Sequence, residues 1–168
     1  MYRELCNTPS DIWEHLPTLA ALASECHHVT EMGTRYIVST WAFLEGLKEG
    51  DTLIAIDYKH PREYNASLDS IEAEAQHKGV NFVFKEEDTR TNEIEETDLL
   101  FIDTDHTYEQ LKIELERHSD KVRKYIALHD TVSCPEMLPA IDEWLKKGVW
   151  KLHVHYPNNN GVSVYSRV

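Results

Sequence analysis

The feature that most constrains this chain is the recurrence of short apolar runs that end in an acidic residue. Thr52 to Ile56 ends at Asp57, Leu99 to Ile102 at Asp103, and Tyr125 to Leu128 at His129-Asp130, while Val29 to Met32 contains Glu31 and ends at Gly33. Runs of this length are too short for ordinary helices, and their nearly unbroken apolarity suits strands covered on both faces. A further strand is expected over Val80 to Phe84. Between the strands lie helical patterns. Ser39 to Lys48 is closed by Gly50, and Asn65 to Lys78 sets Leu68, Ile71 and Ala75 on one face before Gly79. Thr107 caps a helix carrying Leu111 and Leu115, and Met137, Ile141, Trp144 and Leu145 mark another. Strands that alternate with helices pair in parallel through right-handed crossovers.

The two ends of the chain depart from that rhythm. After Gly148, Trp150 to Tyr156 and Val162 to Tyr165 read as strands joined by Asn158-Asn159-Asn160-Gly161, a hairpin signal. At the other end Ser10 is placed to cap a helix running to Cys26. Pro17 lies inside that run, so the helix either kinks there or begins near Leu16 with the proline in its first turn. The expected architecture is α/β: a mostly parallel sheet, helices on both faces, and a C-terminal antiparallel hairpin. With 168 residues and 41% hydrophobic content, the chain is expected to form one domain over residues 1–168, with a helical segment at 1–26 packed on it.

A formal net charge of -13 with no cluster of Lys or Arg argues against a nucleic-acid partner. No apolar run approaches the ~20 residues needed to span a bilayer, so no membrane partner is expected. Cys6, Cys26 and Cys134 are odd in number, far apart and outside any CxxC pair, which fits a reducing cytoplasm. Oligomeric state leaves no periodic signal, and a homo-oligomer stays open.

In open α/β sheets, ligands bind beyond the carboxyl ends of the strands. Here those ends carry Glu31-Met32-Gly33, Asp57, Glu87-Asp88, Asp103-Thr104-Asp105-His106 and His129-Asp130-Thr131. A lone Asp in such a place commonly serves a turn or a helix cap, but the alignment of all five along one edge points to a shared site. Three segments, Val29 to Arg35 running into Ser39-Thr40-Trp41, Leu100 to Tyr108, and Leu128 to Thr131, resemble the class I S-adenosylmethionine (SAM)-dependent methyltransferases. The similarity is to the small-molecule branch with cephalosporin hydroxylase-like and macrolide O-methyltransferase-like members. It spans most of the chain and implies a Rossmann-like fold.

The resemblance further implies SAM as cofactor, with Glu31 near its amino group, Gly33 in the tight turn beneath it, Asp57 on the ribose hydroxyls, and Asp88 against the adenine amino group. It also sets Asp103 beside the cofactor. Ile37 stands where many relatives have glycine, and its side chain is expected to narrow the pocket. Asp103 and Asp130, joined by Thr131, match the carboxylate pair with which metal-dependent relatives hold Mg²⁺ or another divalent cation. His129 and His106 lie beside those acids as candidate general bases, His129 being preferred, and Asp103 completes the catalytic set. The expected reaction is methyl transfer to an oxygen, less readily a nitrogen, of a small molecule. Two alternatives stand beside it: a non-catalytic binding or regulatory domain that keeps the fold, and nucleotide- or sugar-linked transfer on the same scaffold. His27-His28 and His153-x-His155 lack a nearby third ligand in the sequence and are set aside.

Overall fold

The alternating signals resolve, in a computed structural model that describes residues 1–168, into seven strands and six helices. In chain order these are α1 (Tyr2–Leu5), α2 (Leu16–Ala23), β1 (His28–Met32), α3 (Val38–Gly46), β2 (Thr52–Asp57), α4 (Asp69–Lys78) and β3 (Asn81–Glu86). They continue with β4 (Thr97–Ile102), α5 (Tyr108–His118), β5 (Val122–His129), α6 (Leu138–Leu145), β6 (Trp150–Tyr156) and β7 (Val162–Arg167). The first helix of any length begins at Leu16 with Pro17 in its first turn, where a missing N–H costs nothing; Ser10 does not cap it. Helix α4 is also shorter than its pattern implied. Asn65 takes a left-handed φ of 59° at the end of a single 3-10 turn, and the regular helix starts only at Asp69.

The strands form one sheet in the order β3-β2-β1-β4-β5-β7-β6. Strands β1 to β5 pair in parallel, β7 runs antiparallel to β5, and β6 runs antiparallel to β7. The order reverses at β1, which lies between β2 and β4, so a crevice opens beyond the carboxyl ends of these strands.

Alternate residues along each strand feed two separate cores. Leu53, Leu99, Phe101 and Ala127 face α2, α3 and α4, whereas Ile54, Leu100, Ile102, Ile126 and Leu128 face α5 and α6. Phe43 of α3 and Phe101 of β4 are fully buried with ring centroids 5.3 Å apart. Each contributes roughly 2–3 kcal/mol by leaving water. Helices α2 and α3 touch closely at Gly46, where a Cβ would lie 2.2 Å from the Ala20 carbonyl oxygen. Both cores thus hold the strand tips of one sheet edge in fixed positions.

Candidate functional site

A cavity of about 420 Å³ occupies the crevice, with Gly33, Asp57, Asp88, Asp103 and His106 on its walls. Its floor is set by Gly33 (φ +86°), which follows β1. A Cβ there would sit 1.9 Å from the Asp103 carbonyl oxygen, so only glycine lets the β1 and β4 ends come together. The loop from β1 to α3 also places Arg35 (φ 39°) and Ile37 (φ 57°) in the left-handed region. Backbone strain at two side-chain-bearing residues is held here by hydrogen bonding: Asp57 Oδ2 accepts from the backbone N–H groups of Thr34 (2.9 Å) and Arg35 (3.0 Å) and from the Thr34 hydroxyl (3.3 Å). Asp57 Oδ1 accepts only from Lys59 N–H, at 3.0 Å, and is the freer oxygen.

Ile37 does not narrow the cavity. Its side chain is buried in the core on the α2–α3 side, and the cavity wall passes from Tyr36 to Val38 without it. The left-handed backbone at Ile37 turns its Cβ inward, which spacing alone does not reveal.

Glu31 lies behind the wall, fully buried, with Oε1 accepting a 2.5 Å hydrogen bond from the hydroxyl of Ser39, which does line the cavity. Its Oε2 has no partner. Burial pushes this carboxyl up to about 8, although the Ser39 hydrogen bond pulls the other way.

The acidic tips of β4 and β5 come together around two histidines. His106 Nε2 lies 3.1 Å from Asp103 Oδ1 and 2.9 Å from Asp130 Oδ2, and His129 Nδ1 lies 3.2 and 3.0 Å from the same oxygens. Hydrogen bonds to Asp103 and then Asp130 push His106 up to about 10. Burial lowers His129, yet the same two carboxylates outweigh it and push it also to about 10. Both acids are held below the usual carboxylate range, because the histidines and, for Asp130, the Ser133 hydroxyl outweigh burial. His106 is on the cavity wall. His129 is 1% exposed and its Nε2 donates to the Asp11 carbonyl at 3.1 Å, so neither ring nitrogen is free.

Asp103 Oδ1, His129 Nδ1 and Asp130 Oδ2 lie within 4.8 Å of one another, close enough to ligate one cation. With its Nε2–H anchored on a carbonyl, His129 would offer Nδ1 as a lone pair once a cation displaced the proton that Nδ1 shares with the two carboxylates. The Thr131 hydroxyl is engaged elsewhere, its oxygen accepting from Ser163 Oγ of β7 at 3.0 Å.

Several residues here had no signal of their own. Asp11 lies in a segment that crosses the cavity rim, where it pairs with Arg35 at 3.0 Å. That segment is tied down by the β6–β7 turn, since Asn159 Nδ2 donates to Ser10 O (3.0 Å), Asn160 Nδ2 to Asp11 O (3.3 Å) and His15 Nε2 to Asn158 O (2.9 Å). The Asn-rich turn therefore closes a hairpin and fastens the rim. Asp88 lies on the cavity wall, but its carboxylate is taken by Arg90, whose Nε reaches Oδ1 at 3.0 Å and whose second guanidinium nitrogen reaches Oδ2 at 2.7 Å. Behind it, fully buried Glu114 of α5 accepts from the Thr89 hydroxyl (2.5 Å), the Gln110 amide (2.7 Å) and the Thr104 hydroxyl (2.8 Å). The positions 110, 111, 114 and 115 share one helix face, so Gln110 and Glu114 were legible as polar residues on a buried stripe.

A family model described as a methyltransferase domain matches residues 30–131, more than half of the chain. No curated protein matches it in sequence. Among solved structures, an O-methyltransferase from Bacillus cereus in complex with S-adenosylhomocysteine (SAH) is similar with a TM-score of 0.69 at 14% identity, covering 99% of this chain and 90% of that one. A methyltransferase from Geobacter sulfurreducens gives 0.68 at 16% identity, covering 99% and 86%. A SAH-bound methyltransferase from Podospora anserina gives 0.60 at 14%, covering 96% and 89%. At these identities the structures establish a shared fold.

Proposed function

The chain belongs to the SAM-dependent methyltransferase family, and on that premise we propose that it methylates an oxygen, less readily a nitrogen, of a small molecule. The observation that carries the proposal is the crevice itself, in which the ends of β1, β2, β4 and β5 deliver one glycine and several carboxylates to a cavity of about 420 Å³, inside the range of small-molecule sites.

The residues suit the cofactor. Glu31 lies behind the wall and acts through Ser39, which gives its hydroxyl proton to Glu31 and keeps oxygen lone pairs that an ammonium group in the cavity would use. Asp57 Oδ1 has lone pairs left for a ribose hydroxyl. Bound SAM supplies an electrophilic methyl on a sulfonium, so the protein's main work is to hold a nucleophile in line with it. Pairing between Asp11 and Arg35 covers part of the rim and would help keep water out.

His106 is on the wall and is held as the imidazolium by Asp103 and Asp130 at neutral pH, so it would position the acceptor oxygen by donating its remaining N–H, and it becomes able to take the acceptor's proton only as pH approaches about 10. His129, enclosed and bonded at both nitrogens, fits better as a holding group than as the base. Asp103, Asp130 and His129 also suit a divalent cation, and the imidazole among them favours Mn²⁺, Fe²⁺, Co²⁺ or Zn²⁺ over Mg²⁺. Such an ion would supply Lewis-acid polarisation of an acceptor hydroxyl. A non-catalytic domain is the weaker reading, since Ile37 leaves the cavity clear. No helix is long and apolar enough to cross a membrane, and three free cysteines accord with our placing the enzyme in a reducing cytoplasm.

The test is SAH production from SAM over a panel of hydroxylated and amine acceptors. Turnover with a hydroxylated acceptor that falls at least a hundredfold in His106→Ala supports the proposal. Turnover confined to amines, or undiminished in that variant, contradicts it.

A further inference from the structure

The cavity contains one polar group that is both nearly enclosed and unused. Gln110, on the first turn of α5, is 8% exposed and lies on the cavity wall. Its amide nitrogen donates to Glu114 Oε1 at 2.7 Å and to the Thr89 hydroxyl oxygen at 3.2 Å, which occupies both N–H groups. Its carbonyl oxygen makes no hydrogen bond within the protein and is not fully sealed from solvent, on a residue that lines the cavity.

The orientation of this amide is dictated by its neighbours. A carboxylate accepts and does not donate, so Glu114 requires the nitrogen of Gln110 to face it. Glu114 is itself fixed by the hydroxyls of Thr89 and Thr104, which follow β3 and β4, and His118 Nε2 donates to the Thr89 carbonyl oxygen at 2.7 Å. Rotation of the Gln110 amide would set its oxygen against a carboxylate oxygen. The carbonyl is thus locked as an acceptor toward the cavity.

Two carboxylates also stand at this end: Asp105 is exposed to water, and Asp88 is already engaged. Arg90 gives it a backbone N–H at 2.9 Å, Nε contacts at 3.0 and 3.2 Å, and a guanidinium contact at 2.7 Å. A ligand amine approaching Asp88 would have to displace an ion pair, whereas Gln110 Oε1 needs only a donor.

We propose that Gln110 is a specificity-determining residue that reads the exocyclic amino group of a 6-aminopurine nucleoside through its carbonyl oxygen, with Glu114 as the positioning residue that fixes the amide. This rests on the reading of the cavity as the SAM site and adds to it how the base is chosen. A 6-keto purine would direct an oxygen at that carbonyl, and an amide held by Glu114 and Thr89 cannot turn to offer its N–H.

The experiment compares the affinities of SAH and of its deaminated analogue S-inosylhomocysteine by calorimetry, for the wild-type chain, Gln110→Met, Gln110→Ala and Asp88→Asn. The wild-type chain is expected to prefer SAH by tenfold to a hundredfold (about, from one lost hydrogen bond and one repulsive contact). Both Gln110 variants are expected to reduce the preference to below about threefold. Because the preference is a ratio measured on one variant, partial loss of folded protein cancels from it. A wild-type preference below threefold, or one that persists in both Gln110 variants, overturns the proposal. So does a preference abolished by Asp88→Asn alone, which would return the reading of the amine to Asp88. If the wild-type chain binds SAH and Gln110 fails these tests, the methyltransferase reading stands without it; if SAH does not bind at all, both fall together.

Discussion

Replacing Ile37 separates two roles that the chain position merges. Its φ of 57° is a conformation in which a β-branched residue is strained, and its side chain is 94% buried against the α2–α3 core. Truncation to Ala removes most of that burial, at roughly 2–5 kcal/mol, and keeps most of the left-handed cost. Truncation to Gly removes one further methyl but also releases the left-handed penalty of roughly 1–2 kcal/mol, offset in part by about 0.5–1 kcal/mol of extra unfolded-chain freedom. The expected order is therefore Ile37 above Gly, and Gly above or level with Ala, the reverse of the Ala-over-Gly order in ordinary helices and strands. Urea unfolding followed by tryptophan fluorescence measures it. Because the side chain is off the cavity wall, neither variant is expected to change SAH affinity by more than about threefold once the folded fraction is matched. An Ala variant more stable than Gly by about 0.5 kcal/mol or more would refute the strain argument. A tenfold gain in affinity on truncation would show that Ile37 does obstruct the ligand.

Two further outcomes follow from the buried groups. Glu31 holds its proton to about 8 in the folded chain against an ordinary value of 4.5, so the folded state binds more protons across that window. Stability is accordingly full below pH 4.5, declines as pH rises toward about 8 by at most about 1.4 kcal/mol per unit, and is flat above; Glu31→Gln should flatten the profile and raise the melting temperature at pH 8. A slope that survives in the variant assigns the effect to another group. For the cation, Mn²⁺ binding followed by electron paramagnetic resonance should weaken at least tenfold in His129→Gln and change less than about threefold in Thr131→Val. The opposite pattern would restore Thr131 as the third ligand.

The sheet was legible because each central strand is an apolar run stopped by a residue that sheets do not extend through, and because Gly79 and Thr107 sit where helix ends require them. Boundaries failed where local geometry overrode pattern. Asn65 took a left-handed turn inside an apparent helix, and Pro17 moved the start of α2 past Ser10. The strand-end acids were legible for the same reason as the strands. Their partners were not: whether Asp88 meets a ligand or Arg90, and whether Thr131 faces a cation or Ser163, depends on side-chain direction beyond the strand tip. Asp11 came to the rim through contacts with a turn almost 150 positions away, a separation at which periodicity carries no information.

The central claim is that the strand-end crevice is a nucleoside site, and calorimetric titration with SAH tests it most directly. The account predicts saturable one-to-one binding that weakens at least tenfold in Asp57→Asn, a variant that keeps the side-chain shape while removing the charge. Absence of heat at millimolar SAH, or binding indifferent to Asp57, would contradict it.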